Sequence, residues 1–176
     1  TPEFLMSRID DFGGPEASNH YAVGWAHAMD TPFQWTKQVA SHWGGTRNGT
    51  VVHWPNGINA QGEIRSQFSH VIDVAPTILE AAGIPAPTIV NSVQQAPFEG
   101  TSMLYAFDDA GAAERHTTQY FEMFCNRGIY HEGWTAVTRH TVPWSGPLDQ
   151  SFDDDVWELY DTNTDWTQSN DLAKVH

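Results

Sequence analysis

The clearest hydrophobic pattern in the chain is a helical one over residues 72–83. Apolar side chains recur there at three- and four-residue spacing: Ile72, Ala75, Ile78, Leu79 and Ala82. This spacing places them on one face of a helix. Asp73 is positioned to cap the helix, Pro76 suits its first turn and Gly83 suits its end. We expect this helix to cover one face of a sheet that contains residues 51–54.

Strand patterns lie on both sides of this helix. Residues 51–54 are β-branched and aromatic and stop at Pro55, which predicts a short core strand. Farther along, residues 131–133 suit a hairpin turn between two strands. Four strands are predicted in this later part, over residues 118–123, 127–130, 134–138 and 157–160. We expect them to form a small antiparallel sheet, followed by a terminal helix near residues 169–175.

The residue pattern changes near residue 97, after which strand patterns predominate. This change predicts two domains in an α/β fold. The proline-rich stretch 85–97 is typical of a surface linker. Residues 1–97 would hold a partial mixed sheet belonging to a large α/β domain. Residues 98–176 would form a small α+β subdomain with a four-stranded antiparallel sheet and a C-terminal helix. Residues 16–34 are rich in aromatics without a clean period, which predicts a long loop.

Composition narrows the class of protein. The chain has 176 residues, an apolar share of 40% and a net charge of −14, which fit a globular protein. So acidic a chain is not expected to bind nucleic acid, since that relies on Lys and Arg neutralising phosphates, nor an anionic membrane. No apolar run approaches a membrane span. One cysteine excludes an internal disulfide, and the N-terminal residues give no export address, so the compartment stays open.

The candidate chemistry centres on residues 36–49, where a lysine, a histidine, two glycines and an arginine lie close together. The chain has two lysines, Lys37 and Lys174, and the second lies near the C-terminus. The pair Gly44-Gly45 lets the backbone pass close to a ligand or to another segment. On these residues alone, a solvated surface lysine and an ordinary turn are the favoured interpretation.

Four motifs in fixed order resemble the sulfatase family, and most of all its arylsulfatases of the alkaline phosphatase superfamily. The first joins Lys37 to the Gly-Gly-Thr-Arg of residues 44–47 and the strand-proline of residues 51–55. The others are Asp-Val-Ala-Pro-Thr-Ile within residues 69–83, Glu-Gly-Thr-Ser within residues 98–102, and Glu-Leu-Tyr-Asp with Asn-Asp-Leu-Ala over residues 157–173. Each is weak alone, but together they cover most of the chain.

The resemblance implies a sulfuric ester hydrolase and gives roles to single residues. Lys37 would be catalytic, binding a sulfate oxygen and steadying the leaving-group oxygen. His42 lies near it in sequence and would reach the leaving group. His20 would face substrate, or else pack against aromatics, and Arg47 would contact substrate, or else brace the turn. The complete enzyme would use a divalent metal, with calcium favoured, and a sulfate ester as its small-molecule substrate.

Several parts of that machinery are missing from the sequence. The Cys/Ser-x-Pro-x-Arg motif that the family converts to formylglycine is absent, and Cys125 is followed by Asn126-Arg127-Gly128, which makes it a buried thiol. The metal carboxylates and the general-acid histidine are expected upstream of residue 1. The acidic run 153–155 is expected to be a solvated loop. We therefore expect part of an enzyme, inactive alone and binding no metal by itself, which needs a missing N-terminal half or self-association.

Two other functions remain open. Eight tryptophans on an acidic chain would suit a non-catalytic carbohydrate-binding or interaction module, although many of these aromatics fall in strand patterns and are better explained as core. The second alternative function is a phosphoryl hydrolase of the same superfamily, because a lysine that binds sulfate can also bind phosphate.

Overall fold

Short helices occupy the first part of the chain and strands the second. The structure is a computed structural model that describes residues 1–17, 22–144 and 150–175. Its helices are α1 (Pro2–Met6), α2 (Val23–Asp30), α3 (Trp43–Thr46) and α4 (Val74–Ala81), with 3-10 helices at Ile9–Asp11, Val71–Asp73, Leu104–Ala106 and Phe152–Asp154. Its strands are β1 (Ile89–Val90), β2 (Val93–Gln94), β3 (Thr118–Met123), β4 (Asn126–His131), β5 (Trp134–Thr138) and β6 (Trp157–Asp161).

The four predicted strands of the C-terminal part are confirmed. They form one antiparallel sheet in the order β3-β4-β5-β6. The predicted hairpin between β4 and β5 turns at Glu132 and Gly133, whose φ angles of 45° and 87° are both left-handed, as tight hairpin turns require. A side chain at Gly133 would lie 2.1 Å from the Asn163 amide, so glycine is needed there. Local pairing of neighbouring strands made this sheet predictable.

One face of this sheet carries the core. Gly128, Tyr130, Thr135, Val137 and Tyr160 alternate along β4, β5 and β6 and are all buried. Segment 33–47 packs on part of this face. The ring of Phe68 covers another part by stacking on the ring of Tyr130 at 3.9 Å between centroids. The core therefore joins the middle of the chain to the C-terminal sheet.

Helix α4 is confirmed, with its end as expected. Ile84 N–H donates to Leu79 O and Gly83 N–H donates to Glu80 O, the paired bonds of a Schellman end, and Gly83 has a φ of 67°. The orientation of its apolar stripe is corrected. Ile78 is 61% exposed, and the buried side chain of the helix is Thr77. The stripe is exposed because no sheet among the described residues lies against it.

The predicted core strand at residues 51–54 is wrong. This segment has no regular structure, and Val51 is 94% exposed. A strand needs neighbours to satisfy its backbone N–H and C=O groups, and no described strand pairs with these residues. β-branched composition alone therefore did not decide the local structure.

Three further expectations are corrected. The loop at 16–34 contains helix α2, which the helix-forming residues Ala26, Ala28 and Met29 favour. The linker at 85–97 contains the hairpin β1–β2, with its turn at Asn91 and Ser92 in left-handed conformation. The expected C-terminal helix is not formed up to residue 175, where the backbone only turns. The division near residue 97 stays a prediction. No described helix is long and apolar enough to cross a membrane.

Candidate functional site

Lys37 lies at the tip of a tight turn. Val39 N–H donates to Thr36 O at 3.1 Å, and Gln38 has a φ of 77°. A left-handed residue at this third position is what a type II turn requires. The Lys37 side chain is exposed and makes no ion pair with any part of the chain that the structure describes. Its ammonium is therefore open to an anion arriving from solvent.

The two clefts described on the surface lie away from Lys37. Their volumes are about 310 and 330 Å³. The first runs along Val71, Ile72 and Phe98, and the second along residues 52–62. Neither cleft is lined by Lys37.

The glycine pair folds residues 33–47, the lysine loop, onto itself. A side chain at Gly44 would lie 2.2 Å from the carbonyl oxygens of Gln34 and Trp35. One at Gly45 would lie 2.0 Å from the carbonyl oxygen of Val39. Gly44 N–H also donates to Gln34 O at 2.9 Å. The sequence allowed the glycine pair to approach either a ligand or another segment of the chain. In the structure it approaches the backbone of the loop that carries Lys37.

Gln168 ties the lysine loop to the sheet. Its side chain is fully buried. Its Oε1 accepts from Trp43 N–H at 2.8 Å, and its Nε2 donates to Thr135 Oγ1 at 2.9 Å. Its carbonyl accepts from the side-chain amide of Gln34. Gln168, which follows β6 in the chain, thus holds both ends of the loop.

His42 is buried beneath the loop with both ring nitrogens engaged. It is 0% exposed, its Nδ1 lies 2.9 Å from Ser41 Oγ, and its Nε2 lies 3.1 Å from Glu158 Oε2. The hydroxyl of Tyr160 donates to the same Glu158 oxygen. Burial lowers the pKa of His42 from its ordinary value, against the opposing effect of Glu158. Burial and Glu158 both raise the pKa of Tyr160. This arrangement braces the loop and leaves the imidazole without access to a ligand.

Asn126 supports the turn that carries Lys37. It is 0% exposed at the start of β4. Its Nδ2 donates to Gln38 O at 3.3 Å and to Met123 O at 3.1 Å. Its Oδ1 accepts from the backbone N–H groups of His140 at 3.0 Å and Thr141 at 3.2 Å. The carbonyl held by Asn126 thus belongs to the residue directly after Lys37.

Arg47 closes the lysine loop against aromatic rings. Its guanidinium carbon lies 4.2 Å from the ring centroid of Trp43 and 5.2 Å from that of Phe33. Nη1 also donates to Trp166 O at 3.5 Å. Partial burial lowers the pKa of Arg47. These contacts fit the alternative in which Arg47 braces the turn, and its contact with substrate stays a prediction. His20 lies outside the described residues.

Two buried ionic clusters escaped the sequence analysis. Asp155, expected in a solvated run, has a fully buried side chain that lies 2.7 Å from His140 Nδ1 and also pairs with Arg127. Asp73 stands at the expected N-cap position of α4 but makes no capping bond to that helix. Its carboxylate accepts from Thr101 N–H at 2.7 Å and lies 2.8 Å from His116 Nδ1. No local pattern marked Asp155. Cys125, expected as a buried thiol, is half-buried in the β3–β4 turn.

The four sequence motifs meet as two contacting pairs. The lysine loop touches the last motif through Glu158 and Gln168. The start of helix α4 touches the third motif, because Asp73 binds Thr101 and a side chain at Gly100 would lie 2.2 Å from Ile72 O. Motifs far apart in sequence are thus neighbours in the structure.

Comparison with known proteins shows which proteins this chain is similar to. The sulfatase family model matches residues 14–84. Over 176 residues the chain is 26% identical to an uncharacterized sulfatase of Schizosaccharomyces pombe, covering 99% of this chain and 30% of that protein. Over 106 residues it is 29% identical to the arylsulfatase of Klebsiella aerogenes, covering 58% of this chain and 23% of that one. The chain is similar to sulfatases over most of its length.

A solved structure agrees at the level of the fold. It comes from work on the metabolism of multiple glycosaminoglycans by Bacteroides thetaiotaomicron, with a TM-score of 0.51 and 18% identity. The match covers 78% of this chain and 28% of that one. The chain therefore spans less than a third of the length of the relatives it matches.

The described residues do not fit the divalent metal that sulfatases are expected to use. Across residues 1–17, 22–144 and 150–175, no group of three or more His, Cys, Asp or Glu side chains is arranged to hold a metal ion. The buried carboxylates of Asp73 and Asp155 are already occupied by histidine or arginine partners.

Proposed function

We propose that this chain is part of an arylsulfatase-like sulfuric ester hydrolase to which it supplies a sulfate-binding lysine. In this proposal the Lys37 ammonium contacts a sulfate oxygen and the oxygen of the leaving group. The observation that carries it is the position of Lys37, exposed and without an ion-pair partner among the described residues, at the tip of a braced turn. Similarity to sulfatases supports the reaction class.

The chemistry explains why such a lysine would matter. Hydrolysis breaks the bond between sulfur and the leaving oxygen, and negative charge grows on that oxygen as the bond lengthens. A cation fixed in advance stabilises this charge at little reorganisation cost, which is how electrostatic catalysis gains most of its effect. A compact ammonium suits the tetrahedral oxygens of sulfate as a point charge.

The nucleophile and any metal ligands are proposed to come from residues outside this sequence. No Cys/Ser-x-Pro-x-Arg motif occurs in the 176 residues. The open surface around Lys37 and the exposed segment 51–54 would both be covered by that missing part. We accordingly expect the 176 residues alone to hydrolyse no sulfate ester.

A carbohydrate-binding role has one observation in its favour. Contrary to the expectation that tryptophans form the core, five of the eight are exposed: Trp25, Trp134, Trp144, Trp157 and Trp166 are 37–68% exposed. Exposed rings can stack on sugars. Quenching of tryptophan fluorescence by a neutral sugar, in a protein that turns over no sulfate ester, would favour this role over hydrolysis.

The decisive experiment compares the two lysines in the full protein. Lys37→Ala should lower kcat/KM for an aryl sulfate by about 100- to 1,000-fold, the usual cost of losing one electrostatic group at a developing oxyanion. Lys174→Ala is the matched control, since it removes the same charge near the C-terminus, and should leave kcat/KM unchanged. Equal activity of the two variants would refute the proposal, and a larger effect on an aryl phosphate would favour phosphoryl transfer.

A further inference from the structure

The turn that carries Lys37 holds a backbone conformation that its own sequence does not favour. Gln38 has a φ of 77°, in the left-handed region where a Cβ crowds the backbone and glycine is usual. Such conformations persist when the surrounding structure enforces them. Something outside the turn must therefore hold residue 38 in place.

The side chain of Asn126 provides that restraint. A side-chain amide can donate two hydrogen bonds and accept two. All four are used here: two donated to the carbonyls of Gln38 and Met123, and two accepted from the N–H groups of His140 and Thr141. Since all four partners are backbone groups with fixed polarity, the amide cannot flip without losing every bond. It is a rigid, fully buried link between strand β4 and the residue after Lys37.

The neighbouring contacts point the same way. Val39, next to Gln38, is 0% exposed. A side chain at Gly128, two residues after Asn126, would lie 2.8 Å from Ser41 O, so β4 and the lysine loop touch directly. The C-terminal sheet is thus the template on which the loop is shaped.

We propose that Asn126 is a positioning residue that fixes the Lys37 ammonium through the carbonyl of Gln38. This inference rests on the proposed sulfate-binding role of Lys37. It gives the C-terminal sheet a role in catalysis, because the sheet holds the loop that carries Lys37.

Asn126→Asp tests the link with almost no change in volume. The carboxylate keeps the two accepted bonds but places an oxygen against the carbonyls of Gln38 and Met123. Tyr130→Phe is the matched control, because it removes a part-buried bond from the same strand, to Glu114 at 2.7 Å, without touching the loop. Both variants are made in the full protein, alone and combined with Lys37→Ala.

Two readouts separate positioning from general destabilisation. In Asn126→Asp, hydrogen exchange at the amides of Val39, Gly44 and Gly45 should accelerate at least about tenfold relative to Tyr130→Phe. The kcat/KM for an aryl sulfate should fall by about 100-fold, the scale of a small misplacement of a catalytic group. That loss should largely disappear in the Lys37→Ala background, since residues that act as a unit are not additive.

Each outcome bears on the inference. Unchanged loop exchange, or an equal loss of kcat/KM with and without Lys37, overturns it. A third outcome is faster hydrogen exchange in the loop of Asn126→Asp while Lys37→Ala leaves kcat/KM unchanged. This outcome supports the link from Asn126 to Gln38 and refutes the proposed function. If Asn126→Asp does not fold, Asn126→Ser removes the bonds to the carbonyls of Gln38 and Met123 without adding a charge. Faster exchange at Val39 and a lower kcat/KM then support the inference, and an unchanged kcat/KM overturns it.

Discussion

At the scale of single residues, His42 links the loop to β6 as a neutral, fully buried base. Burial holds its pKa below the ordinary value of 6.5, while Glu158 opposes this and Arg139 adds to it. An imidazole so placed cannot approach a sulfate ester, and its contribution is to the stability of the loop. The sequence placed His42 beside Lys37 but gave no means of telling a ligand from a brace, because that depends on the contact with Glu158, 116 residues away.

The buried neutral histidine predicts a specific dependence of stability on pH. Below about pH 6.5 the unfolded chain binds a proton that the native His42 resists, so the free energy of unfolding should fall as pH falls through the window just below that value. His70, whose pKa burial also lowers, contributes in the same direction. His42→Gln should therefore reduce the slope without abolishing it.

Urea unfolding between about pH 5 and pH 7.5 measures that slope. His131→Gln is the control, because the His131 side chain is 63% exposed. The same pH slope in wild type and His42→Gln, with His131→Gln indistinguishable from both, would contradict the role given to His42.

At the scale of elements, the lysine loop depends on two glycines. Gly45→Ala would drive a methyl group against Val39 O and should destabilise the protein by about 1–3 kcal/mol, the usual cost of overpacking. Gly49→Ala, just beyond the loop, meets nothing within 4 Å and should be neutral. Thermal unfolding of the two variants makes the comparison. Equal midpoints of thermal unfolding for the two variants would contradict the close packing of Gly45 against Val39 O.

The elements also show which parts of the fold the sequence determines. Strands β3, β4, β5 and β6 pair mainly with neighbours along the chain, so alternation and a hairpin turn were enough to predict them. The strand expected at 51–54 and the sheet expected under helix α4 depended on partners that the described residues do not supply. The site divides in the same way: the sequence marked Lys37 and Gly44-Gly45, but it did not show the contacts of Asn126 and Gln168, because their partners are distant.

At the scale of the whole molecule, one sheet organises both ends of the chain. The lysine loop from the first half rests on the sheet of the second half, and an exposed lysine stands out on a chain with a net charge of −14. Since the chain spans less than a third of its matched relatives, its sulfate site is proposed as one contribution to a larger cleft.

Protection of Lys37 from acylation tests this account most directly. With two lysines in the chain, mass spectrometry of the full protein treated with an amine-acylating reagent follows each one separately, and Lys174 is an internal reference. We predict that a saturating aryl sulfate or inorganic sulfate slows acylation of Lys37 by about tenfold or more, as expected for an ammonium bound to an anion, and leaves Lys174 unaffected. Equal acylation of Lys37 with and without sulfate, at a concentration that supports turnover, would contradict the account.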